Sequence, residues 1–287
     1  MKKYLSLIKF AHTVFALPFA MLGFFLGVHS DSGDWSLNKF ILVILCMVFA
    51  RSAAMAFNRL VDREIDSRNE RTAGREIPAG AVTPKAARVF VVINSLLFIL
   101  AAYFINPICF YLSPVALLVI LGYSWTKRFT FLCHFVLGLG LSLAPVGAYL
   151  AVTGEFALLP ILYGLIVLLW VSGFDIIYAL QDIDFDKSLS LHSVPAFFGR
   201  KSGLVISTIL HVACAAILIV ASQLISATYP QLNWLHWTGS ILFVILLIYQ
   251  HLIVKPNDLS KVNLAFFTTN GVASVAFALL VIADFYF

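Results

Sequence analysis

The chain has 287 residues, 61% hydrophobic, 14% aromatic and only 11% charged, with mean hydropathy +0.97. A water-soluble domain carries about 25% charged residues, so this composition excludes a soluble globular protein and places the chain in a bilayer. The net charge of +5 does not point to nucleic acid, because the basic residues segregate by membrane side.

A membrane-spanning helix needs roughly 20 mostly apolar residues. Nine such segments are predicted, about 8–28, 37–60, 85–105, 107–124, 130–152, 157–180, 203–226, 234–254 and 262–284. The first follows a basic start, "MKK". It runs on too long, without a small-x-small exit, to read as a cleavable signal. Two connections are long and polar, 61–84 and 181–202. Of the 19 Lys and Arg, all but Lys39 and Arg51 fall on the side that carries the N-terminus and both polar connections. The excess of Lys and Arg marks the cytoplasmic side. The expectation is an all-α membrane protein, one bundle of nine transmembrane helices forming a single domain over 1–287. Its N-terminus and its two cap loops are cytoplasmic, and its C-terminus is outside. Cys46, Cys109, Cys133 and Cys214 lie in or beside apolar segments without metal-ligand spacing. They read as small buried hydrophobes.

The second span closes into "NRLVDREIDSRNERTAGREIPAG", Asn58–Gly80. On a helix, positions i and i+4 lie about 40° apart around the axis and about 6 Å apart along it. Asn58, Asp62 and Asp66 therefore share a predicted face. The sixth span closes into "YALQDIDFDKSLSLHSVPAFFG", Tyr178–Gly199, where Asp182 and Asp186 repeat the spacing and Asp184 points elsewhere. A lone DxxxD at a helix end is ordinarily a solvated face. Two pairs on one membrane side, each ending a long apolar span, are harder to explain that way. Facing each other, they would present four mutually repelling carboxylates. A divalent cation is the natural counter-charge, and an all-oxygen donor set of this kind suits Mg²⁺ shared with substrate phosphates.

The neighbourhood is basic, with Arg59, Arg63, Arg68, Arg71, Arg75, Lys127 and Arg128. Mg²⁺ plus Arg and Lys is the usual equipment for a diphosphate. Arg51 sits two turns before Asn58, and Asp175 two turns before Asp182, both inside spans where polar groups are costly. They are read as an ion pair between spans two and six or as holders of a polar substrate. Tyr123 and Lys127 are again four apart. Lys127 taken alone would be a snorkelling helix-end residue. His12, His211 and His251 look isolated, and His192 falls in the second cap loop, where a lid or phosphate role is open.

These motifs resemble the UbiA superfamily of intramembrane prenyltransferases, over nearly the whole chain. Asn58-x3-Asp62-x3-Asp66 looks like the first aspartate-rich motif, and Asp182-x3-Asp186 after "YALQ" like the second. "YSWTK", Tyr123–Lys127, matches the YxxxK motif, and "RTAGREIPAG" resembles the Arg-rich loop. Arg51 and Asp175 fall where aromatic-prenylating members carry Arg and Asp. One departure is Arg59, where many members follow the Asn with Asp.

The resemblance implies transfer of a polyprenyl group from a polyprenyl diphosphate to an aromatic acceptor at the inner face of the cell membrane. The expected acceptor is 4-hydroxybenzoate or a related quinone precursor. The 180–199 segment also resembles a subgroup associated with a futalosine-type acceptor. 1,4-Dihydroxy-2-naphthoate, heme and chlorophyll prenyl transfer share the scaffold. Metal ligands are expected at Asn58, Asp62, Asp66, Asp182 and Asp186, with Asp175 catalytic alongside these aspartates. Substrate contacts are expected from Arg51, Arg63, Arg71, Arg75, Tyr123, Lys127, Arg128 and Tyr178. Nothing in the sequence points to an obligate protein partner. A transporter is the rival class, but it would spread polar groups across the membrane depth, whereas here they gather on the inner side. A non-catalytic scaffold leaves the two matched acidic pairs without a reason.

Overall fold

The computed structural model describes Leu7 and residues 15–287. Helices follow in the order α1 (Leu17–Val28), α2 (Leu37–Val61), α3 (Arg63–Arg68), α4 (Pro84–Ile105), α5 (Pro107–Thr126), α6 (Cys133–Thr153) and α7 (Leu158–Ala179). A 3-10 turn, Leu180–Asp182, leads into α8 (Ile183–Ser188), α9 (Val194–Phe198), α10 (Arg200–Thr228) and α11 (Leu235–Ile253). A π-helix, Leu264–Thr269, runs into α12 (Asn270–Ala283). Among the described residues the only β feature is an isolated bridge between Lys255 and Asp258.

Eight of these helical segments are long and apolar enough to cross a membrane. They match the second to ninth predicted spans. Helix α1, of 12 residues, covers the later part of the first predicted span, whose earlier part lies outside the described residues. Local chemistry sets the boundaries. Ser36 caps α2 by accepting from the Lys39 N–H, and Thr83 caps α4 ahead of Pro84. Asn106 precedes Pro107 and is therefore driven out of the helical region, to φ −168°, ψ 165°, which separates α4 from α5.

The described residues divide into two compact units, Leu7 with 36–126, and 15–35 with 127–287. The first unit holds α2 to α5. Its core joins Ala56 and Leu60 of α2 to Ile77 and Val82 of the cap loop and to Ala87 and Val91 of α4. The loop after the first acidic motif is thus anchored by its own apolar residues.

The second unit holds α1 and α6 to α12 around an aromatic core. Phe19, Phe243 and Trp170 pack tilted or edge-to-face with centroids 5.4–6.3 Å apart. Helix backbones approach closely through glycine, as is usual in membranes. A Cβ on Gly23 would stand 2.1 Å from the Pro145 carbonyl oxygen, and one on Gly138 2.5 Å from that of Leu168. On α10 and α11, Val212 and Leu252 stay exposed, which suits hydrocarbon rather than water.

A buried polar network stiffens the same unit. Trp170 Nε1 and Gln250 Nε2 each donate to Asn270 Oδ1 at 2.9 Å. Asn270 Nδ2 donates to the Ala265 and Phe266 carbonyls at 3.1 and 3.0 Å. Those carbonyls belong to the π-helix, a geometry frequent at functional sites. His211 and His251, expected to be isolated, bond to each other at 2.8 Å. Helix packing brings α10 and α11 side by side there, which the spacing within either helix does not reveal.

Candidate active site

The first acidic motif does not lie on one continuous helix. Helix α2 ends at Val61, Asp62 breaks it at φ −88°, ψ 5°, and α3 restarts at Arg63. The hydrogen-bond ladder nevertheless runs through the break. Asp62 N–H donates to the Asn58 carbonyl at 2.9 Å, and Asp66 N–H to the Asp62 carbonyl at 2.7 Å. The i, i+4 neighbours therefore stay close, and Asn58 Nδ2 donates to Asp62 Oδ2 at 3.0 Å.

Asp66 is buried, and its Oδ1 pairs with Arg75 Nη1 at 2.6 Å. The cap loop makes this possible. Thr72 Oγ1 donates to the Asp66 carbonyl at 3.0 Å and folds the loop back on the motif. Asp66 Oδ2 is buried with no hydrogen-bond partner. Arg59, also buried, is an electrostatic neighbour of Arg75, Asp66, Glu76 and Tyr123, and its Nε has no partner. Arg51 Nε is likewise buried and unpartnered, with Tyr123 as its charge neighbour. Arg63 turns to Glu64 at 2.8 Å, where both side chains are solvated, and Arg71 is exposed.

The second motif repeats the local design. The 3-10 turn ends at Asp182, which breaks the helix at φ −107°, ψ 8° before the six-residue α8. Asp186, the counterpart of Asp66, is fully buried, and its Oδ1 pairs with Lys127 Nζ at 2.7 Å. Asp186 Oδ2 accepts from Ser193 Oγ at 2.9 Å. Burial alone would lower the Lys127 ammonium. The Asp186 carboxylate outweighs that and, helped by Asp182, holds it above its ordinary value. The YxxxK lysine and the second aspartate motif are therefore one charge cluster. Arg128, beside it in sequence, is half-buried.

Asp175 belongs to a chain of bonds the sequence did not disclose. Its Oδ2 receives His134 Nδ1 at 2.7 Å, and His134 Nε2 lies 3.2 Å from the Val194 backbone N–H. A backbone N–H only donates, so Nε2 is the unprotonated nitrogen and the ring proton sits on Nδ1, toward Asp175. Tyr178 packs its ring 4.1 Å from Phe266 and 5.9 Å from Phe267, on the π-helix fixed by Asn270. His192 is tied through its backbone, its N–H to the Lys127 carbonyl at 2.7 Å and its own carbonyl to Cys133 Sγ at 3.4 Å.

Among the described residues, no group of three or more His, Cys, Asp or Glu side chains is placed so as to hold a metal ion on its own. The donors that are present fit a hard cation. They are carboxylate and amide oxygens, one of them, Asp66 Oδ2, buried and unpartnered. Mg²⁺ takes few protein oxygens and completes its shell with phosphate and water.

The UbiA prenyltransferase family pattern matches residues 16–272. The chain belongs to that family. This UbiA-family protein is accordingly a multi-pass membrane prenyltransferase. It is 32% identical over 246 residues to the 4-hydroxybenzoate octaprenyltransferase of Aliivibrio salmonicida (strain LFI1238), covering 85% of this chain and 83% of that one. The apo structure of a UbiA homolog from Aeropyrum pernix K1 superposes with TM-score 0.79 at 31% identity, over 95% of this chain and 96% of that one. A UbiA homolog from Archaeoglobus fulgidus bound to GPP and Mg²⁺ shares the fold, with TM-score 0.75, 20% identity, and 99% and 100% coverage.

One residue, His134, escaped the sequence reading of this UbiA-family site. Arg59 was noted there for its basic charge and its departure from the family pattern but given no site role, and its burial gives that departure weight. His134 carried no signal, because it sits at the start of an apolar span and its partners lie 41 and 60 residues away.

Proposed function

We propose that this protein transfers a polyprenyl group from a polyprenyl diphosphate to 4-hydroxybenzoate or a closely related aromatic quinone precursor. The reaction is Mg²⁺-dependent and takes place at the cytoplasmic face of the cell membrane. One observation carries the reading. Each acidic motif has the same construction, a helix broken at an aspartate and a buried aspartate one turn on, held by a cation. A paired cation of this kind offsets the cost of burying a carboxylate away from water.

Asn58, Asp62 and Asp66, and likewise Asp182 and Asp186, would supply oxygen ligands to Mg²⁺. When bound, the metal supplies Lewis-acid neutralisation of the leaving diphosphate. Lys127 and Arg75 exchange part of their carboxylate pairing for phosphate oxygens, and Arg63, Arg71 and Arg128 add positive potential around the headgroup. As the allylic C–O bond breaks, the aromatic faces of Tyr123 and Tyr178 stabilise the cation left behind. The cap loops keep water from quenching it. The acceptor ring forms the new C–C bond, and the displaced ring proton passes to Asp175. Arg51, with a buried donor and no partner, suits an anionic group on the acceptor.

Membranes carrying the protein, given a polyprenyl diphosphate, Mg²⁺ and a panel of aromatic acceptors, should yield prenylated 4-hydroxybenzoate by mass spectrometry of the lipid extract. The panel includes 1,4-dihydroxy-2-naphthoate and a futalosine-type acceptor. Product from one of those alone reassigns the acceptor. Solute transport without diphosphate release would overturn the reading.

A further inference from the structure

Six residues of the second unit form one continuous run of polar contacts. Lys127 pairs with Asp186 at 2.7 Å, and Asp186 accepts from Ser193 at 2.9 Å. The next residue, Val194, donates its backbone N–H to His134 Nε2 at 3.2 Å, and His134 Nδ1–H reaches Asp175 at 2.7 Å. Every member except Lys127 and Asp175 is buried. The strap 192–194 is held at a third point by Cys133, the residue before His134, and at a fourth by the Lys127 carbonyl.

We propose that His134 is a positioning residue for prenyl transfer, clamping Asp175 to the strap that also fixes Asp186. The clamp rests on the reading of Asp175 as an acceptor-side group. A histidine suits the post because its two ring nitrogens differ. Nδ1–H orients one carboxylate oxygen of Asp175 and leaves the other for chemistry, while Nε2 accepts the strap's backbone donor. Loss of either bond lets one carboxylate move independently of the other. Placement errors of about 1 Å are enough to cost about 100-fold in rate.

The two bonds can be removed separately in the full-length protein. His134→Gln places an amide oxygen near the Nε2 position and keeps the strap bond while losing the donor to Asp175. It should lower kcat/KM for the acceptor by about tenfold or more, with the donor KM within about twofold. His134→Asn keeps a donor near Nδ1 and frees the strap. Val194→Pro deletes only the strap's N–H. Proline is tolerated at the first position of α9, and Ser193 is already extended at φ −129°, ψ 157°.

Each strap variant should lower kcat by about fivefold or more, and the double variant should fall no further, since both delete one bond. Amide hydrogen exchange at Val194 should accelerate at least about tenfold in His134→Asn, whatever the substrate. Unchanged exchange, full acceptor efficiency in His134→Gln, equal damage to donor and acceptor KM, or multiplying losses in the double variant would each overturn the clamp. Wild-type protein that prenylates no acceptor overturns the functional reading instead, and the exchange measurement then still decides the clamp.

Discussion

Lys127 Nζ stands 2.7 Å from the fully buried Asp186, and Arg75 stands in the same relation to Asp66 at 2.6 Å. Each inner carboxylate is thus paired with a basic side chain before any ligand arrives. Removing one partner leaves the other exposed to the full cost of burial, about 3–5 kcal/mol for a wholly buried pair. The Lys127 side chain is 37% exposed, so screening reduces the figure. Lys127→Met should lose about 1–3 kcal/mol of stability in denaturant titrations. Adding Asp186→Asn should recover much of that stability and none of the turnover.

Asp62 and Asp182 occupy equivalent breaks in two helices. Asp62→Ala and Asp182→Ala should each lower prenyl transfer by at least about a thousandfold while the protein still inserts and runs as a single species. Near-normal turnover in either variant would remove that aspartate from the ligand set.

Arg51→Ala deletes a half-buried guanidinium whose Nε is buried without a partner. The acceptor KM should rise about tenfold or more and the donor KM should hold. Equal rises in both would assign Arg51 to the fold.

Asn270 satisfies Trp170, Gln250 and two carbonyls of the π-helix at once. Asn270→Ala removes the partner of buried polar groups on three segments and should lower stability by about 2–4 kcal/mol. Activity should fall as well, because the π-helix carries Phe266 against Tyr178. Thermal unfolding with and without the donor separates the two effects.

Asp284 follows α12, and its Oδ2 lies 2.6 Å from His236 Nδ1. Burial would raise its pKa, but the bonds from His236 and the Asn233 N–H prevail and hold it below the ordinary carboxylate value. A depressed folded-state pKa contributes stability that is fully present above the unfolded value, about 4, and is lost as pH falls from there through the folded value. The unfolding midpoint of wild type should therefore drop on acidification below about pH 4 more steeply than that of Asp284→Asn. Parallel curves would refute the assignment.

Spans two to nine were legible because twenty apolar residues in a row leave a polypeptide few other options. The acidic motifs were legible because charge is rare here and stands out. The helix breaks at Asp62 and Asp182 were not, since i, i+4 spacing survives them. His134 was invisible for a different reason. Its meaning lies in Asp175 and Val194, brought near only by helix packing, and a single histidine in an apolar run has no periodicity to read. The Asn270 network escaped likewise, as an asparagine among phenylalanines gives no hint of what it bonds.

Because the backbone ladder runs on through the break at Asp62, the first acidic motif lies in the closing turns before Arg68, toward the negative end of the aligned peptide dipoles. The main chain therefore attracts positive ions there independently of any carboxylate, and it repels a bare pyrophosphate. Lipid donor stripped of its counter-ion should be a poor ligand even at high concentration, whereas its magnesium salt meets a surface whose polarity already matches.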